Sequence, residues 1–179
     1  GSETNPYQTI WRAAKAIQDV ISGTVDGGIV YLAAGNYSYG PAGTPQLQTA
    51  NHWLTLEAAP GLSQSQVTIA SAVNPGLDTK LVCLRNVTVM CLLYGQDSAN
   101  NFIWYDSCHL KGNGNETSVH DVGWYYGFDE EYLTNCEVSD NAYGPRNATL
   151  VRDCIVHRLG DDAIGGTDMV INSTIDNID

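Results

Sequence analysis

The sequence predicts an all-β chain wound as a parallel β-helix, a solenoid whose turns stack one on another, and three observations predict it. Segments 84–89, 105–110, 133–138, 151–156 and 170–175 align without a gap, in the column order apolar, variable, Asn-like, small, variable, apolar. The small residues Val87, Cys108, Cys136, Cys154 and Ser173 recur 21, 28, 18 and 19 positions apart, which is loose for a sequence repeat but natural for coils joined by turns of variable length. One amphipathic helix precedes all the strands, as a cap over an open coil would.

The elements follow in order. Gly1-Ser2 reads as a tag remnant, and residues 3–179 read as one domain. Asn5 is the expected helix cap, with Pro6 in the first turn and Gln8 three residues on, and Tyr7, Ile10, Ala14, Ile17 and Ile21 form an apolar stripe ending near Gly23. The helical cap is thus expected over about 5–22. Gly28 to Leu32 alternates as a strand, Ala34-Gly35-Asn36 turns, Trp53 to Leu56 is the next strand before Pro60-Gly61, and Val67-Thr68-Ile69 completes that coil.

In the five aligned segments no coil can bury its own inward face, so coils stack about 4.8 Å apart and like residues meet like. Leu84, Tyr105, Leu133, Val151 and Val170 are expected as one buried ladder, and Val89, Leu110, Val138, Val156 and Ile175 as another on the following sheet. Asn86, Ser107, Asn135, Asp153 and Asn172 form the bend between them, because short polar side chains tolerate left-handed backbone and bond locally. The ladder still runs at Ile175 without a closing cap, so the chain reads as truncated at its C-terminus, a fragment of a longer protein.

Three stretches, PYQTIWRAAKAI, GGIVYLAAGNYS and HWLTLEAAPG, occur in the order expected of the N-terminal region of right-handed parallel β-helix proteins. The chain resembles the pectate-lyase-like superfamily over about residues 5–175. That resemblance implies a right-handed coil, but it covers polysaccharide lyases, glycoside hydrolases, epimerases, phage tailspikes and adhesins alike.

Composition bounds the partners. A net charge of −12, with 43% hydrophobic residues and no apolar run of membrane-spanning length, excludes nucleic acid and membrane insertion as expectations. A polysaccharide or glycan is the expected partner, and secretion or surface display the expected location. Cys108, Cys136 and Cys154 share one ladder column and read as buried reduced thiols; Cys83 should point outward, and Cys91 inward. Of five sequons, those at Asn86 and Asn172 fall in the bend column and are expected to be buried, so none is read as glycosylated.

The candidate chemistry lies after each ladder pair. Asp121, Asp140, Asp161 and Asp162 are expected on adjacent rungs of one trough, with Asp140 and Asp161, 21 residues apart, as near neighbours one coil apart. Clustered carboxylates can split into a general acid and an ionised base for glycoside hydrolysis, or chelate calcium through Asp121, Asp140 and Asp161. No cofactor is required, and calcium is the one candidate metal. Trp124 and Tyr125 are candidate sugar platforms, with His120 and Arg146 completing the substrate-binding set, while Trp104 faces outward from a different sheet as a surface or partner contact.

Leu159-Gly160-Asp161-Asp162-Ala163-Ile164 resembles the paired-aspartate turn of polygalacturonase-type glycoside hydrolases, and Ser139-Asp140-Asn141 falls where that family has its third aspartate. The resemblance makes Asp161 the general acid, with Asp140 and Asp162 activating water. That family's downstream histidine loop and basic pair have no counterpart here. A lyase would instead use a basic group, Arg146, Arg158 or His157, together with calcium. A third possibility is a plain Gly-Asp turn in a non-catalytic binding, adhesion or structural module.

Overall fold

The computed structural model describes residues 7, 9–21, 27–37, 53–70, 81–90, 102–112, 130–141, 144–145, 148–159 and 164–178. Within them one α-helix, α1 (Ile10–Ile21), is followed by β1 (Gly27–Leu32), β2 (Gly35–Tyr37), β3 (Trp53–Ala58), a 3-10 turn (Gln64–Gln66), β4 (Val67–Ile69), β5 (Leu81–Arg85), β6 (Thr88–Val89) and β7 (Phe102–Asp106). The chain continues through β8 (His109–Lys111), β9 (Glu130–Thr134), β10 (Glu137–Asn141), β11 (Leu150–Arg152), β12 (Ile155–Leu159), β13 (Val170–Ile171) and β14 (Thr174–Ile178). Odd strands form one seven-stranded sheet and even strands another, each in chain order. Every pairing is parallel, an architecture consistent with a β-solenoid.

Register follows the apolar columns. Leu84, Tyr105, Leu133, Val151 and Val170 are successive partners on the first sheet. Val89, Leu110, Val138, Val156 and Ile175 are successive partners on the second. All but the last of each are fully buried, and Val170 and Ile175 are each 42% exposed. A slip of one residue would turn a whole column to solvent, which is why burial fixes the register.

Between the sheets, Asn86, Ser107, Asn135, Asp153 and Asn172 all have left-handed backbone, with φ between 45° and 56°. Their amides do not leave the ladder: Asn86, Ser107, Asn135 and Asp153 each donate to a carbonyl on the next rung at 2.9–3.0 Å. Side chains bond along the stack as well, Asn172 Nδ2 donating to Asp153 Oδ1 at 2.6 Å. Asn86 is half-buried, donating to the Leu62 carbonyl at 2.7 Å, and Asn172 is exposed. The expected burial of these two sequons is therefore corrected, because the bend column lies at the corner and not in the core.

The cysteine column is continuous. His109, Glu137, Ile155 and Thr174 donate their amides to the carbonyls of Val87, Cys108, Cys136 and Cys154 in turn. Cys83, Cys108, Cys136 and Cys154 are free thiols and all buried. Cys83 occupies an outward register beside Thr55 and Trp104, yet is 3% exposed, since neighbouring side chains on that face cover it. Burial pushes the Cys108 thiol up to about 12 and that of Cys83 to about 11. Cys91 lies outside the described residues.

The helix begins later than the sequence indicated. Thr9, not Asn5, is its cap: its Oγ1 accepts the Arg12 amide at 3.2 Å. Tyr7 lies outside the helix and is exposed, so the stripe facing the sheet starts at Ile10 and Ala14, both in the core. The helix approaches β1 closely at Gly28, where an added Cβ would stand 2.4 Å from Ile17 Cγ2.

Candidate functional site

Asp140 is the one aspartate of the expected cluster that falls among the described residues; Asp121, Asp161 and Asp162 lie outside them, as do His120, Trp124, Tyr125 and Arg146. Ser139 faces His157 and Asn141 faces Leu159 across β10 and β12, so the rung neighbour of Asp140 is Arg158. One coil here is 18 residues. The 21-residue spacing to Asp161 therefore overshoots the stacked position by three.

Asp140 and Arg158 both adopt left-handed backbone, with φ of 57° and 51°. They mark a second bend at the end of the second sheet, and Gly112 occupies the same place one rung earlier, where an added Cβ would lie 1.9 Å from the Asp140 carbonyl oxygen. Stacked in this way, Arg158 donates from Nε to Asp140 Oδ1 at 2.7 Å and from Nη2 to Oδ2 at 2.9 Å. This two-point fork is the strong geometry for a guanidinium and a carboxylate. Arg158, followed by the Ser139 hydroxyl, lowers the Asp140 pKa to about 2.

A chain of hydrogen bonds extends from this clamp across the outer face of β8, β10 and β12. An ionised Asp140 only accepts, so Ser139 Oγ donates to its Oδ2 at 3.1 Å, leaving the Ser139 oxygen to accept from His109 Nε2 at 2.8 Å. On the other side Arg158 Nη1 donates to His157 Nδ1 at 3.0 Å, and His157 Nε2 donates to Glu137 Oε1 at 2.9 Å. Glu137 Oε1 also stands 3.6 Å from His109 Nε2. Burial lowers the His109 pKa against the opposing pull of Glu137.

This arrangement has definite chemical limits. His109 donates to Ser139 instead of accepting from it, and Ser139 is fully buried, so the pair makes no activated nucleophile. Both Asp140 oxygens accept from Arg158. Among the described residues no group of three or more His, Cys, Asp or Glu side chains could hold a metal. What the face does offer is a rigid row of polar groups whose donor and acceptor roles are fixed by their neighbours.

His109, Glu137 and Ser139 were not singled out by sequence reasoning. Thr88, His109, Glu137, Ile155 and Thr174 are mutual rung partners, and they are the fifth, variable column of the aligned segments. Reading that outward column for polar side chains would have found His109 and Glu137, while Ser139 and His157 lie in the next outward column, two residues on. A second omission is Glu131, which points inward from β9 beside Ile103. It is 6% exposed, its Oε1 has no hydrogen-bond partner, and burial raises its pKa well above the usual carboxyl range.

Trp104 lies on the outer face of the first sheet, a different sheet from the Asp140 clamp, and is half-buried. No helix among the described residues is long and apolar enough to cross a membrane. Comparison of the chain with protein-family models, with curated proteins and with solved structures gives no match in any of the three.

Proposed function

We propose that the chain is a polysaccharide-binding segment of a right-handed parallel β-helix of the pectate-lyase-like kind, with the glycan lying along the outer face of the second sheet. The observation that carries this reading is the continuous hydrogen-bond chain from His109 through Ser139, Asp140, Arg158 and His157 to Glu137. Its side chains are already ordered on a stiff sheet, so a hydroxyl-rich ligand meets preorganised partners. Secretion or surface display belongs to the same proposal.

Hydrolysis is the second reading, with Asp161 as general acid and Asp140 and Asp162 activating water. A carboxylate held at about 2 and bonded twice by Arg158 is a weak base, and this favours binding without turnover. Co-sedimentation with insoluble xylan, chitin and cellulose, paired with an assay for new reducing ends, separates the two. The expected result is retention on at least one polymer, weakened about tenfold by Arg158→Ala, without reducing ends. Reducing ends that disappear in Asp161→Asn would establish the hydrolase instead, and failure of the unaltered chain to bind any polymer would remove the carbohydrate reading.

A further inference from the structure

The first sheet carries a row of aromatic side chains on its outer face. Trp104 on β7 and Tyr132 on β9 are direct cross-strand partners. Trp104 Nε1 donates to Thr134 Oγ1 at 2.8 Å, and Thr134 lies two residues beyond the partner of Trp104, so the indole leans diagonally over the sheet. The Tyr132 hydroxyl donates to Glu130, two residues back on its own strand and on the same face, which lays the phenol ring along the strand. Phe102 shares the face two residues before Trp104, and Trp53 on β3 is 38% exposed.

The indole is held by a relay spanning four strands. Thr134 Oγ1 donates onward to Asp106 Oδ1 at 3.0 Å. Arg85 Nε donates to Asp106 Oδ2 at 3.2 Å, and its Nη1 reaches Glu57 at 3.4 Å. β3, β5, β7 and β9 thus each contribute one polar group to a row beside the rings. Its two carboxylates and one guanidinium leave a single net negative charge.

We propose that this strip is a second binding face, a stacking platform for a neutral glycan chain. Rings laid along a sheet and fixed at their polar tips present π faces to the C–H faces of sugars, and the relay offers donors and acceptors to hydroxyls along one edge. The net negative row, on a chain of net charge −12, disfavours an acidic polymer. The choice of a sugar as ligand rests on the carbohydrate reading above, but no residue is shared with the Asp140 face.

The test is affinity electrophoresis of the intact chain through native gels containing dissolved glucomannan, with carboxymethyl cellulose as the acidic comparison. Glucomannan should retard the chain, Trp104→Ala should weaken that retardation about tenfold or more, and Trp104→Phe, which keeps a ring, should retain most of it. Tyr132→Ala is the second variant should Trp104→Ala fail to fold. Equal retardation of the native chain and a Trp104→Ala variant of the same melting temperature overturns the platform alone. So does stronger retardation by carboxymethyl cellulose, or a concentration-dependent dimer abolished by Trp104→Ala, which would make the strip a contact between copies. Absence of retardation in either gel overturns the platform, and the carbohydrate reading falls with it only if the chain also fails to co-sediment with xylan, chitin and cellulose.

Discussion

Glu131 is the residue at which this chain departs furthest from its own pattern. Its column on the first sheet runs through Leu54, Val82 and Ile103, all buried, and then places a carboxyl where an aliphatic side chain would fit. Because burial raises its folded pKa above the ordinary value near 4.3, the folded state keeps the proton that the unfolded chain gives up. Its contribution to stability is therefore fully present below about pH 4 and is lost as pH rises through the folded value. Glu131→Gln should raise stability at pH 8 by about 1–3 kcal/mol relative to its effect at pH 4, read as a melting-temperature difference that widens with pH. A difference that stays constant from pH 4 to pH 8 would mean that the carboxyl is ionised against a partner.

Between neighbouring strands the governing feature is the clamp that ties the end of β10 to the end of β12. Asp140 has a folded pKa of about 2, below the ordinary aspartate value near 3.9, so its stabilisation is present above about pH 4 and is lost as pH falls toward 2. Arg158→Ala and Asp140→Asn should each lower the melting temperature at pH 6 and converge with the native chain near pH 2. Curves that stay equally separated at both pH values would show that the clamp's charge contributes nothing. The clamp also explains what sequence could not reveal. The first bend is legible because Asn, Ser and Asp fill all five positions, whereas the second is made by Asp140 and Arg158, two residues with nothing in common but their place on the rung.

Over the whole molecule, legibility follows burial. The ladders could be read directly because a stacked interior accepts only like shapes, so Leu110, Val138 and Val156 announce one another across 46 residues. The outward columns could not, since solvent accepts His109, Glu137 and Ile155 equally well, and the candidate rows on both sheets lie in such columns. The helix start was misplaced because Asn5-Pro6 and Thr9 both carry start signals, and only Thr9 is followed by the residues that meet the sheet. Coil length varies, so a single interval does not identify the stacked position, and the rung neighbour of Asp140 is Arg158.

Both proposed faces depend on rungs that register residue on residue, so the most direct measurement is of methyl nuclear Overhauser contacts on the folded chain. Cross-peaks from Val138 to both Leu110 and Val156, and from Leu84 to the Tyr105 ring, are the predicted result. Contacts from Val138 to the His109 or Lys111 side chains in place of Leu110 would place the strands one residue out of register and contradict the account.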